Sequence, residues 1–179
     1  APRALRPVDR LLCALTGSCM TTDTPGFDPS PIIIRPIAVD DAAALNTACW
    51  ADLPRDVVVD LLRRAQKVAD RRRGLAVTAL WRDQPCAFAM LTLWSRCAEI
   101  SDLVVSEPLR GRKIGTALIE YLSATARDLG ATMLEIGAAL SNPRAIALYR
   151  RLGFRDGRVI TVELGSGPEP VLYLYRPIA

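Results

Sequence analysis

Between Leu109 and Thr116 the chain reads LRGRKIGT, which sets two arginines, a lysine and two glycines at the mouth of an amphipathic helix. Helix starts usually carry a Ser, Thr, Asp or Asn cap and acids in the first turn, because the free N–H groups and the dipole there favour negative charge. A cationic, glycine-bearing start suggests instead that a ligand supplies the anion, and phosphate is the usual candidate. The chain contains no histidine. Triads and zinc sites built on histidine are therefore excluded, and proton transfer falls to carboxylate, Lys, Tyr, Cys or water.

Spacing narrows the anion further. A nucleoside triphosphate loop needs G-x-x-x-x-G-K-[ST], and a dinucleotide fingerprint needs G-x-G-x-x-G; Gly111 and Gly115 satisfy neither. Cys13, Cys19, Cys49, Cys86 and Cys97 are odd in number and scattered. They form neither a disulfide framework nor a zinc ribbon, and they point to a reducing, cytoplasmic setting. No run approaches the roughly eighteen apolar residues of a membrane span, so no membrane partner is expected. The net charge of +4 is too small to indicate nucleic acid. The basic run LLRRAQKVADRRRG (61–74) is read as a solvated helix face.

The elements that must position the loop follow from periodicity. Residues 1–30 read as a flexible N-terminal extension, with Met20 a candidate start, and residues 31–179 as one domain. PIIIRPIAV (31–39) predicts a strand held to an edge by Pro36. Helices are expected over 39–49 and over 54–74, the second closed by Gly74. Strands follow at 75–83, 86–96 and 98–106, with a turn at DQP (83–85). A helix over 113–130 buries Ile114, Ala117, Leu118, Tyr121 and Leu122. It leads into a strand at 131–137, a helix at 143–154 and strands at 157–165 and 170–177, the last two joined by GSGPEP (165–170). The fold class is α/β, a mixed, mostly antiparallel sheet with helices on both faces and one parallel crossover around the basic loop. A ligand belongs at the C-terminal end of the strand before that loop.

LVVSEPLRGRKIGTALIEYL (103–122) followed by SNPRAIALYRRLGF (141–154) resembles the GNAT superfamily of acyl-CoA-dependent N-acyltransferases. The match runs through Arg110, Gly111, Arg112, Ile114 and Gly115 and departs at Lys113, where the family has a glycine. The resemblance covers nearly all of 31–177. It implies that acetyl-CoA is the cosubstrate, with no metal. Its pyrophosphate would lie among Arg110, Gly111, Arg112, Lys113, Gly115 and Thr116. Its pantetheine arm would bond to the main chain of Leu103 and Val105 in a gap beside a bulged strand, with Asn142 in contact.

For chemistry, the resemblance points to Glu99 as the base that takes the amine's proton. Alternation sets Ser101 on the same face and Asp102 on the other. Glu135 is the rival, and a water chain would also serve. Tyr149 stands where the family places the acid that protonates the leaving thiolate. Read from residues alone, Tyr149 is a core aromatic and Asn142 a helix cap. Cys97 has no cationic neighbour to activate it. The acceptor, a small-molecule or protein amine, would enter past Trp50, Asp52, Leu53, Arg55 and the turn 155–158, where Trp50 also reads as a core anchor. The function implied is N-acetyl transfer (EC 2.3.1.-). A non-catalytic acyl-CoA-binding sensor is the alternative, supported by Lys113 and opposed by the presence of both Glu99 and Tyr149. Homodimerisation through the apolar strand VLYLY (171–175) is left open.

Overall fold

The computed structural model describes residues 32–163 and 167–178. The extension 1–30, with Cys13, Cys19 and Met20, lies outside the described residues. Strand β1 spans Ile33–Pro36, and helices α1 (Ala42–Cys49) and α2 (Arg55–Asp70) follow. Strands β2 (Gly74–Trp81), β3 (Gln84–Trp94) and β4 (Cys97–Val105) run as hairpins. Helix α3 (Ile114–Asp128) crosses over to β5 (Met133–Ala139), and α4 (Pro143–Arg151) leads into β6 (Arg155–Glu163) and β7 (Pro168–Pro177).

The seven strands form one sheet in the order β1-β2-β3-β4-β5-β7-β6. Every neighbouring pair is antiparallel except β4 and β5, whose parallel connection uses α3 as its crossover. β1 holds one edge, as its proline requires, because Pro36 cannot donate to a ladder on both sides. The other edge is β6. The expectation that 171–175 offers an edge is corrected: β7 turns back to lie between β5 and β6, so its backbone is paired on both sides.

Apolar side chains sort to the two faces as a period of two dictates. On one face, Ile114, Leu118, Ile119 and Leu122 of α3 and Ile146 and Tyr149 of α4 pack on Val77, Ala89, Leu91, Ile100, Leu134, Ile136 and Leu174. Each such fully buried aliphatic side chain contributes about 1.5–3 kcal/mol over an exposed one. On the other face α1 and α2 bury Leu45, Val58 and Leu62 against Ala76 and Phe88. That second layer reaches no further than β4, and its core includes no residue of β5, β6 or β7.

Three local expectations shift. The β2–β3 turn is Arg82–Asp83, both left-handed, as a two-residue hairpin loop demands, and Pro85 sits at an irregularity within β3. Helix α2 ends at Asp70, four residues before Gly74. Gly74 instead opens β2, where an added Cβ would lie 1.9 Å from the Leu91 carbonyl oxygen. Close strand approach, not helix capping, requires the glycine there.

Candidate active site

The site begins at an irregularity in β4. Ser101 pairs with Met90 and Val104 with Phe88, so Asp102 and Leu103 together oppose Ala89 alone. Asp102 takes up the extra residue with φ of 54°, a left-handed conformation that a short polar side chain tolerates better than most. The bulge breaks the period of two. Below it Ala98 and Ile100 face α3, and above it Leu103 and Val105 do. Ser101 stays on the Glu99 side, as expected, while Asp102 projects into solvent and accepts a hydrogen bond from the Ser101 hydroxyl at 3.2 Å.

The same distortion opens the sheet. β4 pairs with β5 only as far as Ile100–Ile136. Beyond that point a gap of about 200 Å³ separates Ser101–Leu103 from Gly137–Ala139, with Asn142 and Tyr149 of the α4 region along it. Ser106 N–H donates to the Cys86 carbonyl at 2.8 Å. Because antiparallel ladders alternate, the main-chain groups of Val105 turn away from β3, toward the cleft that Leu103 also lines.

A larger cleft of about 840 Å³ continues from this gap to the basic loop, and Leu103, Asn142, Ala145 and Tyr149 line both. Its walls carry Val105, Arg110, Gly111, Lys113, Gly115 and Thr116 on one side and Arg144, Leu148 and Arg151 on the other. The loop bends through Gly111 (φ 81°) and Lys113 (φ 62°), and Lys113 is the N-cap of α3. That cap makes no side-chain hydrogen bond, and the first turn holds no acid. The helix therefore leaves its first N–H groups to whatever occupies the cleft. Gly115 lies on the cleft floor, where an added Cβ would meet Leu103, Val105 and Leu148 at 3.8 Å, ordinary van der Waals contact, so a methyl would fit and a longer side chain would extend into the cleft.

The expected binding residues do not all behave alike. Leu103, Val105, Arg110, Gly111, Lys113, Gly115, Thr116, Asn142 and Tyr149 come together along one cleft. Arg112 does not line it; its guanidinium lies 5.5 Å from the centre of the Trp81 ring. Arg110 folds back, donating from Nε to the Val105 carbonyl at 3.2 Å and pairing with Glu107 at 3.7 Å. Asn142 caps α4 by accepting from the Ala145 N–H at 3.2 Å. Arg144 and Arg151 were not anticipated. Their spacing with Leu148 sets all three on one face of α4, a pattern that was readable in the sequence.

Tyr149 is 4 % exposed, and burial pushes its phenol up to about 12. It stays neutral and protonated. On the opposite face of the sheet, Glu99 sits directly across from Glu135 in the parallel ladder. Burial pushes the Glu99 carboxyl above its ordinary value; the Trp94 indole and Arg158 pull it down, Glu135 and Asp102 push it up, and the rise wins. Cys97 is also raised, by burial and then by Glu135 and Glu99, so it remains a thiol. Trp50 packs edge-on against Phe88, its ring centre 5.5 Å away, and is an anchor of the second core; Asp52, Leu53 and Arg55 are exposed. Residues 155–158 begin β6 rather than forming a turn, and Arg158 from this stretch pairs with Glu135 at 3.0 Å. Among the described residues no group of three or more acids and cysteines is placed to hold a metal ion, and no helix is long and apolar enough to cross a membrane.

The model of the Acetyltransferase (GNAT) family matches residues 38–154. The chain belongs to this family. The match contains the bulged strand, the basic loop and the Tyr149 helix. An uncharacterized N-acetyltransferase of Methanocaldococcus jannaschii is 40% identical over 63 residues, 35% of this chain but 28% of that protein's length. An uncharacterized N-acetyltransferase of Mycobacterium tuberculosis is 29% identical over 124 residues, 69% of this chain and 79% of the relative. Among solved structures, an aminoglycoside 6'-N-acetyltransferase complexed with coenzyme A superposes with a TM-score of 0.65 at 16% identity, covering 82% of this chain and 97% of the other. At that identity the likeness concerns the fold.

Proposed function

We propose that residues 31–179 act as an N-acetyltransferase that moves an acetyl group from acetyl-CoA directly to a primary amine. One observation carries the reading. Glu99 stands one residue before the point where β4 parts from β5, and Tyr149 lines that opening from the helix side.

The donor half fits an acyl-CoA. A pyrophosphate would meet the free N–H groups at the start of α3 together with Arg110 and Lys113, and charge-assisted contacts of this kind contribute about 1.5–3 kcal/mol each. The cleft sets Leu103 and Val105 beside the space for an extended, amide-bearing arm, and Asn142 reaches the same space. Bound acetyl-CoA supplies the activated thioester. The Val105 N–H then donates to the thioester oxygen as charge gathers there. An acceptor amine of the lysine type is mostly protonated at neutral pH. The ionised form of Glu99 takes that proton directly or through a water, Tyr149 donates its hydroxyl proton to the sulfur as the C–S bond breaks, and the proton then shed by the acylated nitrogen restores the phenol. A neutral buried phenol is suited to that role, since it holds a proton at every working pH. Attack is direct, with no covalent enzyme intermediate; burial raises the Cys97 thiol, which does not favour it as a nucleophile.

The test is calorimetric titration with acetyl-CoA, followed by thiol release over a panel of small primary amines and peptide N-termini. Saturable donor binding with amine-dependent thiol release, lost in Glu99→Gln and reduced in Tyr149→Phe, is expected. Donor binding with no release from any amine would favour a sensor instead, and absence of donor binding would overturn the reading altogether.

A further inference from the structure

β6 carries a second bulge, on the far side of the sheet from the first. Asp156 pairs with Leu174 and Val159 with Leu172, so Gly157 and Arg158 together oppose Tyr173 alone. The bulge depends on glycine: a Cβ at residue 157 would lie 2.8 Å from the Tyr173 carbonyl oxygen, which the backbone could relieve only by moving. Asp156, just before it, is held by the Arg150 guanidinium at 2.9 Å. A bulge re-aims the side chain it displaces. Here the Arg158 guanidinium crosses β7, passes 5.2 Å from the centre of the Tyr173 ring, and ends on both oxygens of Glu135 at 3.0 and 3.1 Å. Glu135 is the residue that faces Glu99 across the parallel ladder, where neighbouring strands lie about 4.8 Å apart.

Two carboxylates so close repel when both are ionised, and the proton goes to whichever is less well stabilised. Arg158 decides between them. The ion pair gives Glu135 a bidentate counter-charge that Glu99 lacks, which leaves Glu99 as the carboxylate free to take up and release a proton. We propose that Arg158 is a positioning residue of the acceptor face, which by engaging Glu135 through the β6 bulge makes Glu99 the titrating member of the carboxylate pair.

The groups around Glu99 are few. β3 presents Thr92 and the Trp94 indole, β4 itself Cys97, Ser101 and Asp102, β5 Glu135, β6 Arg158 and β7 Tyr173. Only Arg158 is a cation among them. Its removal leaves the two carboxylates facing each other with no counter-charge, while removal of Glu135 leaves Glu99 with a nearby cation and no rival.

The function of Glu99 as base rests on the proposed transferase reading, but its titration can be followed without any turnover. Protein carrying ¹³C at the glutamate side-chain carboxyl is titrated by NMR, with the Glu99 resonance identified by its loss in Glu99→Gln. The Glu99 midpoint is expected to rise in Arg158→Gln, to fall in Glu135→Gln, and to return toward the wild-type value in the double variant. A midpoint that stays put or falls in Arg158→Gln overturns the proposal, as does a rise in Glu135→Gln. Arg158→Lys, which keeps the charge, serves if the glutamine variant fails to fold, and is expected to hold the midpoint near wild type. Acetyl-CoA affinity, governed by the other face, is expected to be unchanged in all of them. If the protein proves not to turn over, the NMR result still decides the role of Arg158, so the two readings fail separately.

Discussion

The donor side of the cleft draws its N–H groups and two of its four cations from the seven consecutive residues 110–116, whereas the acceptor side gathers Glu99, Glu135, Arg158 and Tyr173 from four different strands. The first is built from backbone: a helix start whose cap makes no side-chain hydrogen bond, a strand with its main chain turned outward, a glycine floor. The second is built from side chains whose meeting depends on strand order. A backbone site recognises what all acyl-CoA molecules share, while a side-chain site sets proton affinity and choice of amine. The two halves share Tyr149 and the gap around it, but they lie on opposite faces of the sheet. They are therefore expected to respond to substitution separately.

The strongest way to break that separation is Glu99→Gln. Loss of a positioned base lowers turnover by about a hundredfold to ten-thousandfold, with acetyl-CoA affinity unchanged when read by calorimetry. The pH profile adds a sign. A base works only when ionised, and the Glu99 carboxyl is held above its ordinary value, first by burial. Turnover in the wild type should thus fall as pH drops through a midpoint higher than that of an ordinary glutamate, and this acidic limb should vanish in the variant. The same shift sets stability: a carboxyl whose folded value is raised favours the folded state at low pH and ceases to do so as pH rises through the raised value. Thermal denaturation at neutral pH should accordingly show Glu99→Gln no less stable than the wild type. A variant that loses donor affinity as well would show that the halves are coupled.

Gly115→Glu probes the donor half. Its side chain would enter the cleft beside Leu103 and Val105 and set a carboxylate where an anion is expected. Losing one charge-assisted contact and gaining a repulsion corresponds to about a hundredfold weaker acetyl-CoA binding. The acceptor face should be untouched, which the Glu99 carbon-13 midpoint reports directly. Arg112→Glu is the contrast within the loop. Since that guanidinium rests on Trp81 and does not line the cleft, its loss should weaken binding far less than the Gly115 change.

The same contrast explains what was legible in the sequence. The basic loop of the donor half could be read because its residues are contiguous and their types are explained by one helix terminus, whereas Leu103, Val105, Asn142 and Tyr149 came from the resemblance and Arg144 and Arg151 from neither. The order of elements followed from periods of two and of three to four, since burial on one or both faces leaves that imprint. The bulge, which the resemblance implies, left no imprint in the periodicity: an aspartate within a β-rich stretch reads as ordinary alternation, and only the left-handed backbone at Asp102 locates it. Nor does periodicity record which strands are neighbours. The placement of β7 between β5 and β6, which brings Arg158 within reach of Glu135, depends on the path of the chain and not on any local pattern. Gly74 shows a third kind of gap, because a helix-ending glycine and a glycine pressed against another strand look alike in one dimension.

Lys113→Gly gives the smallest expected effect and the finest test of how the donor half is built. Lys113 holds φ of 62° and ψ of 8° as the cap of α3, a conformation that costs a residue with a Cβ about 1–2 kcal/mol and costs glycine nothing of the kind. Glycine recovers that strain but makes the unfolded chain more flexible, which returns about 0.4–1 kcal/mol. The net is a stabilisation of about 1 kcal/mol or less, to be read by denaturant unfolding. Donor affinity should move the other way. Lys113 lines the cleft near the free N–H groups of α3, and an exposed ammonium contributes about 0.3–1 kcal/mol beside a bound anion, so the variant should bind acetyl-CoA a few-fold more weakly at low salt. That deficit should shrink as salt screens the charge. Tighter binding by the variant would mean instead that the side chain crowds the phosphates, and that the loop tolerates lysine only at a cost to both folding and affinity.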